Sequence, residues 1–390
     1  MDSELVAVLE AALEQTDESD TATRARLLAN LGVELVFAPD RDPLALSDQA
    51  LALAQSAGDE RTLAHVLRTR YYTITRPETR AERWANTAEL LAVAEKLGDP
   101  ALRCQAHYFR ARSGMEMGDI EEFDRSLEVA ERLALDLGQP TLQWVNTWQR
   151  IGRVLLAGRI EEAERLSFEA LELGEASGQA DARLYFVFQG FAIRFEQGRL
   201  ADLEASLADL MAKIPGLPVL EAMLGLLYAE LDRDDEARVV LKHFAESAFE
   251  RLPGDVTRIR VITALAAMAA HLGATTEAHT LYDLLAPHHD QLDTMAGMVA
   301  GAIAHYLGLL ATVLGRLEAE AHFVEAEQTH VRIGAPAWLA RTHLEWARML
   351  LARRAPGDTQ RARELLAEAL TTGRTLGLAN VERRAVHLLT

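Results

Sequence analysis

The sequence predicts an all-α protein, a right-handed α-solenoid of about nine antiparallel helix pairs with a period of about 40 residues. Three observations predict it. Glycines recur at a fixed step: Gly58, Gly98, Gly138 and Gly178 lie 40 residues apart, and Gly118, Gly158 and Gly198 repeat that step midway between them. Ala, Leu, Glu and Arg dominate the composition, and these side chains lose little freedom on entering a helix. Between the glycines, apolar residues return at helical spacing rather than alternating.

The glycines act as stops. Glycine takes the left-handed conformation just past a helix C-terminus without steric cost. Two stops per period therefore make two helices of about 15 to 18 residues, joined by tight turns. After Gly118, Ile120-Glu121-Glu122-Phe123 leads into Leu127, Ala130 and Leu133. After Gly158 the chain repeats itself as Ile160-Glu161-Glu162-Ala163, then Ala170 and Leu173. Leu200, Leu203, Leu207 and Leu210 echo the pattern after Gly198. Acidic first turns suit the positive end of the helix dipole, and Pro100 and Pro140, two residues past a stop, suit a helix start.

Beyond residue 215 the register drifts. Pro215-Gly216-Leu217-Pro218 makes a sharper break, Asp232-Arg233-Asp234-Asp235 forms the next turn, and later stops fall at Gly273, Gly315, Gly334 and Gly377. Thr73-Ile74-Thr75-Arg76-Pro77 interrupts one pair and Ala355-Pro356-Gly357-Asp358 the last. The chain reads as a single array over residues 1–390. Residues 1–58 are N-terminal capping units, 59–215 regular repeats, 216–377 less regular repeats, and 378–390 a C-terminal capping helix. No strand is predicted.

Charge and cysteine content narrow the function. With 59 acidic against 40 basic side chains the net charge is −19, the wrong sign for a phosphate-binding surface, so no direct nucleic-acid partner is expected. Lys96, Lys213 and Lys242 are the only lysines; the arginine bias fits a GC-rich coding source and does not by itself mark binding residues. Cys104 is the single cysteine, which rules out an intrachain disulfide and a cysteine-based zinc site. Met1-Asp2-Ser3-Glu4 lacks a basic n-region, and no run of about 18 uncharged apolar residues occurs. A cytoplasmic protein with no membrane partner is the expectation.

Residues 158 to 170 resemble a tetratricopeptide repeat, with Gly158, Ala163 and Ala170 at the turn glycine and the two small packing positions. Gly308 and Gly315 match the first-helix and turn glycines of another unit, although Arg316-Leu317-Glu318-Ala319-Glu320-Ala321-His322-Phe323 runs one residue short of the pattern. The long period is similar to that of MalT-like repeats. A wider likeness rests on Pro43-Leu44-Ala45-Leu46-Ser47-Asp48-Gln49-Ala50-Leu51-Ala52-Leu53-Ala54, Tyr306-Leu307-Gly308-Leu309-Leu310-Ala311, Trp338-Leu339-Ala340-Arg341-Thr342, Ala347-Arg348-Met349-Leu350-Leu351 and Pro356-Gly357-Asp358. In their order these resemble the C-terminal repeat region of actinobacterial signalling proteins that carry an ATPase module with a LuxR-type DNA-binding or nucleotide-cyclase domain. No G-x-x-x-x-G-K-[ST] loop and no basic helix-turn-helix occurs in this sequence. The resemblance therefore implies the sensory or docking part of such a system, with the output elsewhere.

Candidate binding residues follow from the period. In such an array the first helix of each pair lines the concave groove, so residues one period apart form ladders. Arg70, Arg110 and Arg150 make one, and a guanidinium grips a carboxylate or phosphate through paired hydrogen bonds. Neutralisation of neighbouring Glu and Asp is the other reading of the same ladder. Aromatic residues accompany it: Tyr71 and Tyr72, His107 and Tyr108, Trp144 and Trp148, Tyr185 and Phe186, with Gln189 one turn on. These suit either a binding groove or packing between repeats. His288-His289 falls in a loop-like segment. His322, Glu325 and His330 share a helix without H-E-x-x-H spacing, so no metal is expected. Cys104 reads as buried packing, with His107 as a remote nucleophile partner lacking an oxyanion donor.

Three function classes remain open. The first is a non-catalytic sensor binding a small-molecule effector or peptide in its groove. The second is a protein-interaction scaffold, including a homodimer through the end repeats; the third is an enzyme on a helical array. A pocket closed over by aromatics and arginines favours a small ligand, and an open trough favours a peptide. No cofactor and no catalytic residue are predicted.

Overall fold

The computed structural model of the chain describes residues 3–36, 38, 41–247, 249 and 252–390. Among the described residues there are twenty α-helices and one two-stranded sheet. They form two compact units, Met1–Asn146 with Gly254–Val256, and Thr147–Pro253 with Thr257–Thr390.

The first unit holds α1 (Ser3–Gln15), α2 (Thr21–Glu34), α3 (Pro43–Ala57), α4 (Glu60–Thr73), α5 (Arg80–Leu97), α6 (Pro100–Met117) and α7 (Ile120–Leu137). Helix α8 (Pro140–Leu156) begins here and crosses into the second unit. Gly58, Gly98, Gly118 and Gly138 all have φ between 59° and 70°, as the stops require. Asp59, Asp99 and Asp119 follow three of them, each accepting hydrogen bonds from first-turn N–H groups that would otherwise be orphaned. A two-residue link of this kind turns each helix back along its predecessor. Helix α4 packs between α2 and α6, and odd-numbered helices cover them. Leu67, Tyr71, Leu90 and Phe109 fill the resulting core.

The second unit continues with α9 (Ile160–Ala176), α10 (Ala182–Gln197), α11 (Glu204–Lys213), α12 (Pro218–Glu230), α13 (Asp234–Glu246), α14 (Arg258–Leu272) and α15 (Thr275–Leu285). After the sheet come α16 (Ile303–Val313), α17 (Ala319–Arg332), α18 (Pro336–Arg353), α19 (Asp358–Leu376) and α20 (Ala379–Leu389). The small residues matched to repeat positions do pack closely. Ala163 and Ala170 are buried, and a Cβ on Gly308 would meet the Phe323 ring at 2.7 Å. Helices α12, α14, α16, α18 and α20 contact one another in turn, and α20 touches α10. The 3-10 turn Leu200–Leu203 bridges α10 to α12. The inner helices of this unit thus close on themselves.

A hairpin of β1 (Leu292–Met295) and β2 (Met298–Ala302), absent from the sequence expectation, fills part of that interior. Ala296 and Gly297 make its two-residue turn, both at positive φ as such turns demand. One extra residue on β2 forms a bulge where Gly301 takes φ +86° against the Trp338 ring. All five β2 residues are buried. The tip rests on α8, where a Cβ added to Gly152 would stand 1.8 Å from the Gly297 carbonyl oxygen.

Gly152→Ala therefore displaces the hairpin tip and is expected to cost about 2 to 3 kcal/mol in urea denaturation, as overpacking does. Gly98→Ala, at φ +64° with nothing within 4 Å of the new Cβ, is expected to cost only about 1 kcal/mol of backbone strain.

Candidate functional site

The interior of the second unit contains a two-lobed cavity. The smaller lobe, about 30 Å³, is lined by Leu155, Phe191, Glu196 and Arg260 and floored by the hairpin residues Val299 and Ala300. The larger, about 70 Å³, is lined by Glu230, His305, Arg341, Glu345, Arg348 and Arg384. Phe195, Leu226, Tyr306 and Trp338 line both. One lobe is mainly apolar and the other strongly polar.

Ion pairs hold the walls. Arg341 of α18 meets Glu196 of α10 at 3.1 Å, with side chains only 8% and 5% exposed. Its Nη2 also donates to the Phe195 carbonyl at 3.0 Å, and the guanidinium lies 4.0 Å from the centre of the Phe195 ring. Residues some 145 positions apart are joined here, so the pair marks the closure of the inner helices. Glu345 stands 2.7 Å from Arg348 and 3.6 Å from Arg384. Burial pushes its carboxyl up, but the two arginines outweigh burial and hold it below the usual carboxylate range. Asp293, in β1, is fully buried; burial raises its pKa against the pull of Arg260 at 3.3 Å and of the Thr263 hydroxyl, which donates at 2.6 Å. This carboxyl anchors the hairpin to α14.

His305, on α16, is buried among the rings of Tyr306, Phe323 and Trp338. Burial lowers its pKa from 6.5 to about 4; Glu345 opposes the shift, while Arg341 and Arg348 reinforce it. His330, on α17, is lowered in the same direction, first by burial and then by His305 and His343.

The residues singled out in the sequence lie elsewhere. Arg70 is 5% exposed and is held by the Ser47 hydroxyl, Asp48 and Glu82. Arg110 lies 3.2 Å from the centre of the Trp84 ring, donates to the Trp84 carbonyl at 3.0 Å, and faces Glu122 at 3.4 Å. Arg150 is half-buried. For Arg70 and Arg110 the intrachain ion pairing is what the structure displays. Tyr71 is a core residue whose hydroxyl donates to Glu116, itself paired with Arg83 at 2.6 Å. Tyr72 is exposed, and Tyr108, Trp144 and Trp148 are buried. His107 is half-buried with Glu95 at 3.8 Å; burial lowers its pKa. In the second unit Trp148 stacks on Tyr185 with ring centres 3.6 Å apart. Gln189, one turn beyond Tyr185, is buried, and its amide nitrogen has no hydrogen-bond partner among the described residues. Phe186 packs on the half-exposed Phe168.

Cys104 is buried and directs its thiol to the Ala130 carbonyl at 3.3 Å; burial raises its pKa. His322 contacts the Tyr282 hydroxyl and Glu325 contacts His289, so the three metal-type residues of α17 have separate partners. Among the described residues no three His, Cys, Asp or Glu side chains gather to hold a metal ion. Nor is any described helix long and apolar enough to cross a membrane. Sequence reasoning passed over the cavity residues. Arg341, Trp338, Tyr306 and Arg348 enter the sequence reading only through the family likeness, and the one local signal among them is an arginine inside an apolar helix.

No family model matches the chain, and no curated protein matches it. The crystal structure of the APC/C hetero-tetramer Cut9-Hcn1 shares 12% identity with it over 93% of this chain and 93% of that one, with a TM-score of 0.23. A circular tandem repeat protein with novel repeat topology and enhanced subunit contact surfaces shares 15% identity over 99% of this chain and 86% of that one, with a TM-score of 0.17. Scores this low carry nothing over to this chain, whose helix-pair architecture rests on its own geometry.

Two predictions concern the buried charges. Glu196→Gln strands the Arg341 guanidinium and is expected to cost about 3 kcal/mol or more in chemical denaturation, whereas Glu196→Met with Arg341→Met recovers most of that loss. Because the folded pKa of His305 lies below its unfolded value, its contribution is present above pH 6.5 and is lost as pH falls toward 4. The loss amounts to about 3 kcal/mol. Urea denaturation near pH 7 and near pH 4.5 should show a smaller acid loss in His305→Leu than in the parent chain.

Proposed function

We propose that this chain is a non-catalytic helical-repeat binding module, of the sensor kind attached to signalling ATPases and transcription regulators, and that its small-ligand site is the two-lobed cavity of the second unit. One observation carries the reading. Seven Glu and Arg side chains and the rings of Phe191, Phe195, Tyr306 and Trp338 converge on the two lobes of one cavity inside a helical unit. Glu196 and Arg341 are nearly fully buried, and burying an ion carries a desolvation penalty of several kcal/mol that an apolar interior would avoid. Small-molecule sites have this composition: apolar walls with a few converging polar groups.

Closure of the inner helices favours a small effector over a peptide, because a segment of chain needs an open trough. In this reading the Arg70 and Arg110 contacts brace one helix pair against the next. The titratable groups of the cavity are engaged with one another as ion pairs, an arrangement that suits recognition rather than proton transfer. The output would be a change in how the inner helices close, read by an attached or associated module.

Thermal-shift screening of small metabolites tests the site. Leu226 lines both lobes, so Leu226→Trp fills the cavity without removing a charge. A ligand at about 100 times its Kd should stabilise the parent chain by about 2.7 kcal/mol and the variant not at all. Equal stabilisation of both would place the ligand elsewhere and sink the assignment.

A further inference from the structure

A buried relay determines which way one side chain of the larger lobe presents its proton. The backbone N–H of Ala302, the last residue of β2, lies 2.9 Å from His330 Nε2. A backbone N–H can only donate, so Nε2 accepts and bears no proton. The proton of neutral His330 is then on Nδ1, which lies 3.1 Å from Thr342 Oγ1 and donates to it. The hydroxyl proton of Thr342 is then available to its other partner, His305 Nδ1, at 3.0 Å. His305 Nδ1 is thereby an acceptor, and the proton of this neutral ring sits on Nε2. That nitrogen has no protein partner among the described residues, and the ring lines the larger lobe.

We propose that His305 Nε2–H is the ligand-recognising donor of this lobe and that it selects the carboxylate of a compact organic acid. The inference rests on the ligand-cavity reading above. Arg341, Arg348 and Arg384 line the same lobe, the first paired with Glu196 and the others facing the carboxylates of Glu230 and Glu345. A guanidinium carries five N–H groups, so donors outnumber acceptors there. Arg348 Nε is buried and lacks a hydrogen bond of good geometry, although Glu345 is 2.7 Å away. The adjoining lobe, walled by Leu155, Phe191, Val299 and Ala300, takes the apolar end of the acid. Recognition is tied to the hairpin, because the relay that orients His305 starts from its last N–H.

Long-range proton–nitrogen correlation on 15N-histidine-labelled full-length chain near pH 7 reads the tautomers directly. His305 is expected with its proton on Nε2 and His330 with its proton on Nδ1; Thr342→Val should leave His305 as a mixture of tautomers. A His305 protonated on Nδ1, or on both nitrogens, overturns the proposal. Sodium hexanoate and sodium benzoate serve as acid probes, with benzylamine as the cationic control. Either acid should move the His305 Nε2 resonance, and His305→Leu should weaken its binding at least about tenfold. An acid that binds the lobe without moving that resonance, or a preference for benzylamine, overturns carboxylate selection and leaves the cavity reading standing. If none of the three probes perturbs any residue of either lobe, the cavity reading itself falls.

Discussion

Most helices of this chain end at or beside a residue in the left-handed conformation, and the arrangement of helices depends on that constraint. Gly58, Gly98, Gly118, Gly138, Gly158, Gly178 and Gly198 all take positive φ at a helix end. With links of only two to five residues, the next helix turns back along the last. A single pair cannot bury both of its apolar faces, so pairs stack and the first helix of each turns inward. Where glycine is replaced, the turn keeps the geometry with another residue. Asp232 and Arg354 hold positive φ at stops of this kind, the second braced by the Arg353–Asp358 pair beside it.

In the second unit the stacking closes, and closure creates an interior that helices alone do not fill. The hairpin fills part of it. Its approach is permitted by missing side chains, Gly152 on α8 beneath the tip and Gly301 beside Trp338. What remains is the two-lobed cavity, with the Arg341–Glu196 pair at the seam between α18 and α10. The same pair thus serves two ends: it satisfies charges that the closure buries, and it gives the wall of the cavity its polarity.

The coupling between hairpin and cavity is chemical as well as steric. Asp293 anchors one strand through Thr263 and Arg260, and the Tyr306 hydroxyl donates to the Ala300 carbonyl of the other at 2.7 Å. Ala302 then begins the hydrogen-bonded chain through His330 and Thr342 to His305. These three bonds lie buried together, so the position of the hairpin's last N–H and the orientation of the His305 ring depend on one another.

Helix positions, turns and helix starts were legible along the chain because they are local: a glycine stop, an aspartate cap or a first-turn proline acts within a few residues. The arginine ladder was legible as a spacing but not as a role. Whether Arg70 faces a ligand or Glu82 depends on what the neighbouring helix brings near it. The hairpin escaped notice because Met298-Val299-Ala300-Gly301-Ala302 suits a buried helix as well as a strand, and its turn uses Ala296 where asparagine or glycine would have signalled one. The cavity could not be read at all. Glu196 and Arg341 carry no mutual signal across some 145 residues, and their meeting follows from small rotations accumulated over many helix pairs. The sequence by itself determined the helices and the sense in which each turns back; the tertiary structure alone decided that the second unit closes, because closure sums many inter-helix angles that no local motif encodes.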